Sequence, residues 1–302
     1  MCPEMKKLLD LKKEGKEIID DLPSGTHWNE GKSNDLYFWI EILDHLDDKL
    51  ADPDLPREQV LKILKFSTSL LERSNSRAIY NSCDRMASLL LSDDPELVLG
   101  ALDVLIATVK ITHFNGKPTA AHQDKDLIRR LTPLADGFTL LKDVLSGSHE
   151  VKLSEILANS GLPETETLMF KSSHREENEP IEVNLLSGDS SKKTVDRVRA
   201  LIDEKQLLED DFEEMWAKLW FYEASKDKAN FEMMVQIQLR AACLYCQLVV
   251  CPMSETTLGR KYVRRHPMKH HIADLFKSLT VGNNPHIHSE MLRLLYAYLC
   301  CS

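Results

Sequence analysis

The feature that most constrains this chain is a helical corner that occurs twice. The first copy reads LLLSDDPELVLGALDVLIATV, with Asp94–Pro95 at its break, and the second reads SLTVGNNPHIHSEMLRLLYAYL, with Asn284–Pro285 at its break. In each copy an apolar helical end is followed by a short polar break, a proline and a second apolar segment. Aspartate and asparagine are good helix N-caps, and proline is favoured at the first helical position. The pattern predicts that each proline begins a helix.

The two copies align at one offset, 285 − 95 = 190, without a gap. Apolar residues then match on both sides of the turn: Leu89 with Leu279, Leu102 with Leu292, and Val109 with Leu299. Helical units of this kind cannot bury their apolar faces alone, so neighbouring units must stack. The alignment therefore favours an armadillo- or HEAT-like α-solenoid. The alternative is that two amphipathic helices match at this offset by chance.

The rest of the sequence also predicts an all-α protein. The chain of 302 residues has only 11 glycines and 12 prolines, and most apolar residues recur at spacings of three and four. The predicted helices span residues 4–21, 36–50, 57–74, 75–92, 93–112, 127–138, 139–145, 151–161, 192–206, 208–225, 231–251, 270–281 and 284–301.

One segment departs from this pattern. The stretch ETLMFKSSHREENEPIEVNLLSGDSSKK has two apolar runs around a charged tip, which predicts a small β-hairpin at about 167–186 inserted in the helical array. The alternative is a solvated loop. The predicted organisation is helical repeats over 1–160, the insertion over 161–191, and further repeats over 192–302, all in one solenoid.

Charge and cysteine content suggest the class of partner and the cellular compartment of the chain. The balance of 38 basic and 48 acidic residues gives −10, which argues against a nucleic-acid binder and is compatible with basic protein partners. The seven cysteines are scattered in apolar helical patterns, as expected of reduced thiols in the cytoplasm or nucleus. The charged N-terminus has no apolar signal region, and the longest apolar run, 241–251, is shorter than the roughly 20 residues that cross a bilayer.

Two groups of residues resemble metal or redox sites. Cys243 and Cys246 form a C-x-x-C motif, but they lie among apolar residues in mid-helix, so we expect core cysteines. In RRHPMKHHIAD the candidate ligands are His266, His270, His271 and Asp274, as in an all-helical metal hydrolase. Adjacent histidines point about 100° apart on a helix, and further ligands are not evident. We therefore expect no metal site and no cofactor, and P-loop, Rossmann and nucleophile-elbow motifs are absent from the sequence.

Two other segments are candidate partner-binding sites. The basic segment GRKYVRRHPMKHH would bind an acidic peptide, RNA or another part of a longer chain, although a solvated face explains it equally simply. Its candidate residues are Arg260, Lys261, Arg264, Arg265 and Lys269. Trp216, Trp220 and Phe221 recur at helical spacing, which is typical of core packing and less often of an exposed peptide groove.

Two blocks of the sequence carry a family resemblance. LYFWIEILDHLDDKLAD and LKILKFSTSLLERSNSRAIYNSCDRMASLLLSDDPELVLGALDVL resemble the N-terminal armadillo region of the giant HECT-type E3 ubiquitin ligases, the Mule, Tom and UPL group. The matching positions in the first block and just before it are Trp28, Gly31, Lys32, Leu36, Tyr37, Trp39, Leu43, Asp44 and Asp47. Those of the second block are Ser76, Arg77, Tyr80, Ser82, Leu89, Leu90, Asp94, Val98 and Leu102. TETLMF and the segment LWFYEASKDKANFEMMVQIQLRAACLYCQLVV are similar to later parts of the same region.

The resemblance implies a noncatalytic role for these 302 residues. In the family the HECT domain, with its thioester cysteine, lies at the far C-terminus, and none of the seven cysteines here corresponds to it. The armadillo array forms a ring that presents protein substrates, so the implied partners are those substrates and the remainder of the ligase, and a ubiquitin-loaded E2 only through the HECT domain. Because the chain stops after YAYLCCS at the end of an apolar helix, we expect it to be a fragment.

Two other functions remain open from the sequence. The first is a free-standing armadillo or HEAT adaptor that binds peptide or protein cargo, and the second is the all-helical metal-dependent hydrolase. No membrane partner is expected, and a nucleic-acid partner is not favoured by the net charge.

Overall fold

A computed structural model describes nine α-helices, two β-strands, a 3₁₀ turn, a π-helical turn and some of the turns between them. The described residues are 3–23, 36–73, 82–109, 125–136, 167–170, 181–184, 192–205, 209, 212–225, 228–250, 289 and 292. Most of them are helical, in agreement with the all-α prediction. The chain divides into two compact units, residues 1–127 and 128–302. The predicted segment limits at 160 and 191, and the continuous solenoid, stay predictions.

The first unit contains five helices within its described residues. They are α1 (Pro3–Lys13), α2 (Leu36–Lys49), α3 (Arg57–Arg73), α4 (Cys83–Leu89) and α5 (Pro95–Val109). A 3₁₀ turn, Ile19–Asp21, lies between α1 and α2. A further helix, α6 (Lys125–Asp136), spans the boundary between the units and contains Pro133.

The first helix is shorter than the sequence pattern predicts. We expected a helix to Asp21, but α1 ends at Lys13. Gly15 takes a left-handed conformation with φ 68°, and its N–H donates to the carbonyl of Lys12 at 3.0 Å while that of Lys16 donates to Leu11 at 3.0 Å. These two bonds form a Schellman motif, which satisfies the last carbonyls of the helix and turns the chain. The predicted limit at Asp21 is wrong because the left-handed Gly15 ends the helix, although charged and apolar residues of helical spacing continue beyond it.

The core of the first unit is formed by apolar stripes on α2, α3 and α5. Trp39 of α2 packs its ring against Phe66 of α3, with centroids 5.8 Å apart. The buried side chains of α2 and α3 include Ile42, Leu46, Ile63, Leu64 and Leu70. Such spacing at three and four places all of these residues on one face of each helix.

α3 and α5 approach each other closely at Gly100. A Cβ atom on this residue would lie 2.8 Å from Leu64 Cδ1 and 3.3 Å from Leu64 Cβ. The absence of a side chain at Gly100 therefore lets the two helices pack tightly at this point. The buried face of α5 comprises Val98, Ala101, Leu102, Val104, Leu105, Ala107, Thr108 and Val109.

The second unit contains three long helices within its described residues. They are α7 (Thr194–Lys205), α8 (Phe212–Ser225) and α9 (Lys228–Tyr245). α8 packs against both α7 and α9. At its C-terminal end α9 widens into a π-helical turn, Cys246–Val250, which the regular helical spacing of the sequence did not predict.

Two short strands lie in the segment for which we predicted a hairpin. β1 (Thr167–Phe170) and β2 (Ile181–Asn184) pair antiparallel. In their register Thr167 opposes Asn184 and Phe170 opposes Ile181. Whether this pair is an insertion into a helical solenoid stays a prediction.

None of the helices in the described ranges has the length and apolar character needed to span a bilayer.

Candidate functional site: the corner at the start of α5

The described corner is built around the capped start of α5. The carboxylate of Asp94 accepts the N–H of Glu96 at 2.9 Å, and the Asp94 carbonyl accepts the N–H of Val98 at 3.2 Å. Ser92 Oγ in turn accepts the N–H of Asp94 at 3.2 Å. Pro95 occupies the first helical position, where no N–H is needed. The predicted cap at Asp94 is therefore confirmed, whereas Asn284–Pro285 lies outside the described residues.

Arg57, the first residue of α3, binds the carboxylates of this cap. Its Nε and Nη2 atoms both donate to the carboxylate of Asp94, the latter at 3.3 Å, and Nη2 also donates to Glu96 Oε2 at 2.7 Å. Arginine suits this position because its planar guanidinium can donate to two carboxylates at once. The side chain fixes the start of α3 beside the start of α5.

The ion pair of Asp94 with Arg57 shifts the pKa of both groups. Burial raises the pKa of the Asp94 carboxyl. The hydrogen bonds from Arg57 and from the N–H groups of Glu96 and Leu97 lower it by a larger amount, so the net pKa is below its ordinary value. Asp94 and Glu96 raise the pKa of the Arg57 guanidinium. The ion pair therefore persists well into the acid range.

The surroundings of this cap are acidic and exposed. Asp52, Asp54 and Glu58 lie before or within the first turn of α3, and Asp93 precedes the cap of α5. Because Arg57 holds the starts of both helices together, the carboxylates of Asp94 and Glu96 share its positive charge. The described groups of the corner are helix caps and ion pairs, which hold the starts of α3 and α5 together.

A second polar contact fixes the start of α4. Asp47 of α2 is only 6% exposed, and it accepts a hydrogen bond from Ser82 Oγ. Ser82 is the N-cap residue of α4, but its side chain makes no capping bond because it bonds to Asp47 instead. Both residues are among the positions that resemble the ligase family, but neither shows in the sequence which partner it has. A buried carboxylate needs such a partner, so this pair sets the position of α4 relative to α2.

The aromatic residues of α8 form core and not a groove. Trp216, Trp220 and Phe221 are 1%, 2% and 8% exposed. The rings of Trp216 and Trp220 stack with centroids 5.1 Å apart, and Phe221 lies 5.2 Å from Trp220. The expectation that these residues pack in the core is confirmed.

The C-x-x-C motif is also buried. Cys243 and Cys246 are buried thiols with 5% and 0% exposure, and Gln247 Nε2 lies 3.8 Å from Cys243 Sγ. Burial, with a smaller contribution from Cys243, raises the pKa of the Cys246 thiol far above its ordinary value. The core interpretation is confirmed, because thiols in this state are poor nucleophiles.

The remaining candidates lie outside the described residues. They are Arg260, Lys261, Arg264, Arg265 and Lys269 of the basic segment, and His266, His270, His271 and Asp274 of the histidine-rich segment. Both assignments stay predictions. Within the described ranges, no group of three or more histidine, cysteine or acidic side chains is arranged to hold a metal ion.

Comparison with known proteins places this corner in a wider context. Residues 55–155 match a family described as Domain of Unknown Function (DUF908). The chain is 31% identical over 142 residues to the E3 ubiquitin-protein ligase HUWE1 of Mus musculus, which covers 40% of this chain and 3% of that protein. It is 29% identical over 120 residues to the probable E3 ubiquitin-protein ligase TOM1 of Eremothecium gossypii, covering 32% of this chain and 4% of the relative.

A plant relative gives the same result. The E3 ubiquitin-protein ligase UPL2 of Arabidopsis thaliana is 26% identical over 143 residues, covering 40% of this chain and 4% of that protein. The chain resembles the N-terminal region of the giant HECT-type E3 ubiquitin ligases. The resemblance inferred from the sequence is thus confirmed. No solved structure matches the chain.

The matched stretches are a small part of each relative. The chain spans only 3–4% of the length of the curated relatives that it matches. The matched family segment, 55–155, begins just before α3 and includes α4 and α5. Arg57, Asp94 and Glu96 therefore all lie inside it, whereas Asp47 precedes it.

Proposed function

We propose that this chain is a noncatalytic scaffold segment of a large HECT-type E3 ubiquitin-protein ligase. In this proposal its helices form part of a solenoid ring that positions protein substrates for ubiquitination. The observation that carries the proposal is the similarity to three E3 ligases from animal, fungal and plant sources, each of which the chain covers by only 3–4%. In this proposal a segment this small would contribute one part of the ring.

The packing of α3 against α5 in the first unit supports the proposed scaffold role. α3 and α5 approach closely at Gly100, and Arg57 joins their N-terminal ends through Asp94 and Glu96. Contacts at two points along a helix pair fix its crossing geometry more firmly than either contact alone. A ring wall needs helix pairs of constant geometry, because errors at each step add along a repeat array.

The proposed partners follow from this role. They are protein substrates and the remainder of the ligase chain, and a ubiquitin-loaded E2 would be engaged only by the HECT domain. The cytoplasm or the nucleus is the proposed location, as ubiquitin conjugation requires.

A transfer assay tests the noncatalytic assignment. The purified 302-residue chain is incubated with ubiquitin, ATP, an activating enzyme and an E2, and a HECT domain from the mouse relative is the positive control. We expect a thiol-sensitive ubiquitin adduct on the HECT domain and none on this chain, because the described cysteines are buried core thiols. A thioester on any of the seven cysteines would show that the segment is catalytic.

The reading frame tests membership of a ligase chain. Sequencing the transcript beyond the codon of Ser302 should show continuous coding sequence that ends in a HECT domain. A stop codon directly after Ser302 would contradict the proposal and favour the free-standing adaptor.

A further inference from the structure

The first 21 described residues form a distinct covering element in the first unit. This N-terminal strap, residues 3–23, consists of α1, the turn at Gly15 and the 3₁₀ turn Ile19–Asp21. α1 contacts α2, and the 3₁₀ turn contacts α3. Its buried side chains are Met5, Leu8, Leu9, Ile18 and Ile19.

Lysine–carboxylate pairs connect the strap to both helices. Lys12 Nζ of α1 lies 2.9 Å from Glu41 Oε1 of α2. Lys49 Nζ of α2 lies 2.9 Å from Glu17 Oε2 of the strap. Lys62 of α3 pairs with Asp20 in the 3₁₀ turn. Each of the three ion pairs has one partner in the strap and the other in α2 or α3. All three would therefore have to break when the strap opens.

Glu17 couples one of these pairs to the local conformation of the strap. Its Oε1 accepts the N–H groups of Ile18 and Ile19 at 2.9 and 3.4 Å, while its Oε2 accepts from Lys49. The hydrogen bond from Lys49 lowers the pKa of Glu17, with smaller help from the two backbone N–H groups and against the effect of burial. The charged Glu17 side chain therefore has two effects: it orders the start of the 3₁₀ turn, and it connects that turn to α2.

All three connecting pairs are open to solvent. Their side chains are between 26% and 68% exposed. Exposed ion pairs are individually weak and are screened by salt. However, the apolar burial of the strap is opposed by the chain entropy lost on ordering 21 residues. With these two large contributions opposed, a few weak pairs can determine how often the strap is open.

We propose that the N-terminal strap is an electrostatically held element that opens as a unit from α2 and α3 while the rest of the first unit stays folded. Salt, or a lysine modification that removes charge, such as acetylation of the half-exposed Lys62, shifts the strap toward the open state. Opening exposes the five buried apolar side chains and the helix surfaces that they cover. The first unit then presents an apolar surface whose availability depends on charge.

Hydrogen exchange of the full 302-residue chain tests this proposal. Amide exchange is followed by mass spectrometry for peptides from the strap and for peptides from α5, at about 0.05 M and about 0.5 M salt, where the Debye length falls from roughly 14 to 4 Å. The test variant is Lys62→Gln. Lys65→Gln is the matched control, because Lys65 is an exposed lysine on the same helix with no ion pair in the described part of the chain.

We expect Lys62→Gln to raise the open population of the strap by about two- to fivefold at low salt, as for the loss of one exposed pair. Lys65→Gln and the α5 peptides should not change. At high salt the parent strap should exchange faster, and the difference between Lys62→Gln and the parent should disappear. The charge-swapped double variant Asp20→Lys with Lys62→Asp should restore protection relative to either single variant.

Two results would overturn the proposal. If the strap and α5 exchange at a common rate in every condition, the strap opens only when the whole unit unfolds. If Lys62→Gln and Lys65→Gln have equal effects, the ion pair with Asp20 does not hold the strap. Neither result bears on membership of a HECT-type ligase, so the strap proposal and the proposed function fail separately.

Discussion

Asp94 offers the most direct test of how the corner is held. Replacing it with alanine removes the acceptor for the N–H of Glu96 and leaves Arg57 with Glu96 alone. We expect Asp94→Ala to lower the free energy of unfolding of the first unit by about 0.5–2 kcal/mol, the usual effect of losing an N-cap. Asp94→Asn keeps a capping oxygen and loses only the charge, so its effect should be smaller, because the ion pair with exposed Arg57 is screened by water.

The pH dependence separates the charge from the cap. The pKa of Asp94 in the folded protein is below its ordinary value. The stabilisation from its ionised form is therefore complete above the unfolded pKa, about 3.9, and is lost as the pH falls through the lower folded pKa. The stability difference between the parent and Asp94→Asn should be constant from neutral pH to about pH 5 and should shrink below about pH 4.

Urea unfolding followed by circular dichroism, combined with hydrogen exchange of peptides from α5, measures these differences. Asp54→Ala is a matched control, since Asp54 is an exposed carboxylate before α3 whose side chain makes no hydrogen bond in the described part of the chain. An Asp94→Ala effect no larger than that of Asp54→Ala would show that the cap does not hold the corner. If Asp94→Asn were as damaging as Asp94→Ala, the charge and not the cap would be responsible.

Two further predictions concern the buried parts of both units. Gly100→Ala should lower the stability of the first unit by up to about 2 kcal/mol in urea unfolding, because the contact with Leu64 outweighs the roughly 1 kcal/mol gain in helix propensity. In a Leu64→Ala background the same change should be less destabilising, because only the 3.3 Å contact with the Cβ of residue 64 remains, and stabilisation in both backgrounds would contradict the close contact. Cys83, Cys243 and Cys246 should resist a thiol-specific maleimide in the native protein and react after unfolding, as read by peptide mapping. Rapid native labelling of Cys246 would show that its thiol is accessible.

The local rules of helix formation made much of the fold predictable. The start of α5 followed from an aspartate before a proline, because both effects act within one helical turn. The limits of α2 and α3 agree with the predicted 36–50 and 57–74 within one residue at each end. The end of α1 also has a local signal in the sequence, because a glycine such as Gly15 often follows the last residues of a helix.

Burial was predicted by residue type and not by geometry. Trp216, Trp220, Cys243 and Cys246 were expected in the core because large apolar side chains and free thiols at helical spacing are usually buried. Periodicity alone gives the face of a helix and does not say what covers it. The helices that cover these residues became known only from the packing of α7, α8 and α9.

The sequence by itself determined that this chain is helical, where several helices begin, and which ligase family it resembles, since these depend on residues close together in the chain or on whole matched blocks. Only the tertiary structure revealed that Arg57 reaches Asp94, 37 residues away, that Asp47 bonds Ser82, 35 residues away, and that Lys62 holds Asp20, 42 residues away. An exposed lysine or a lone buried aspartate gives no sign in the sequence of its partner. The partner is chosen when helices pack, because the apolar faces fix the helix positions and the polar groups pair with whatever those positions bring near.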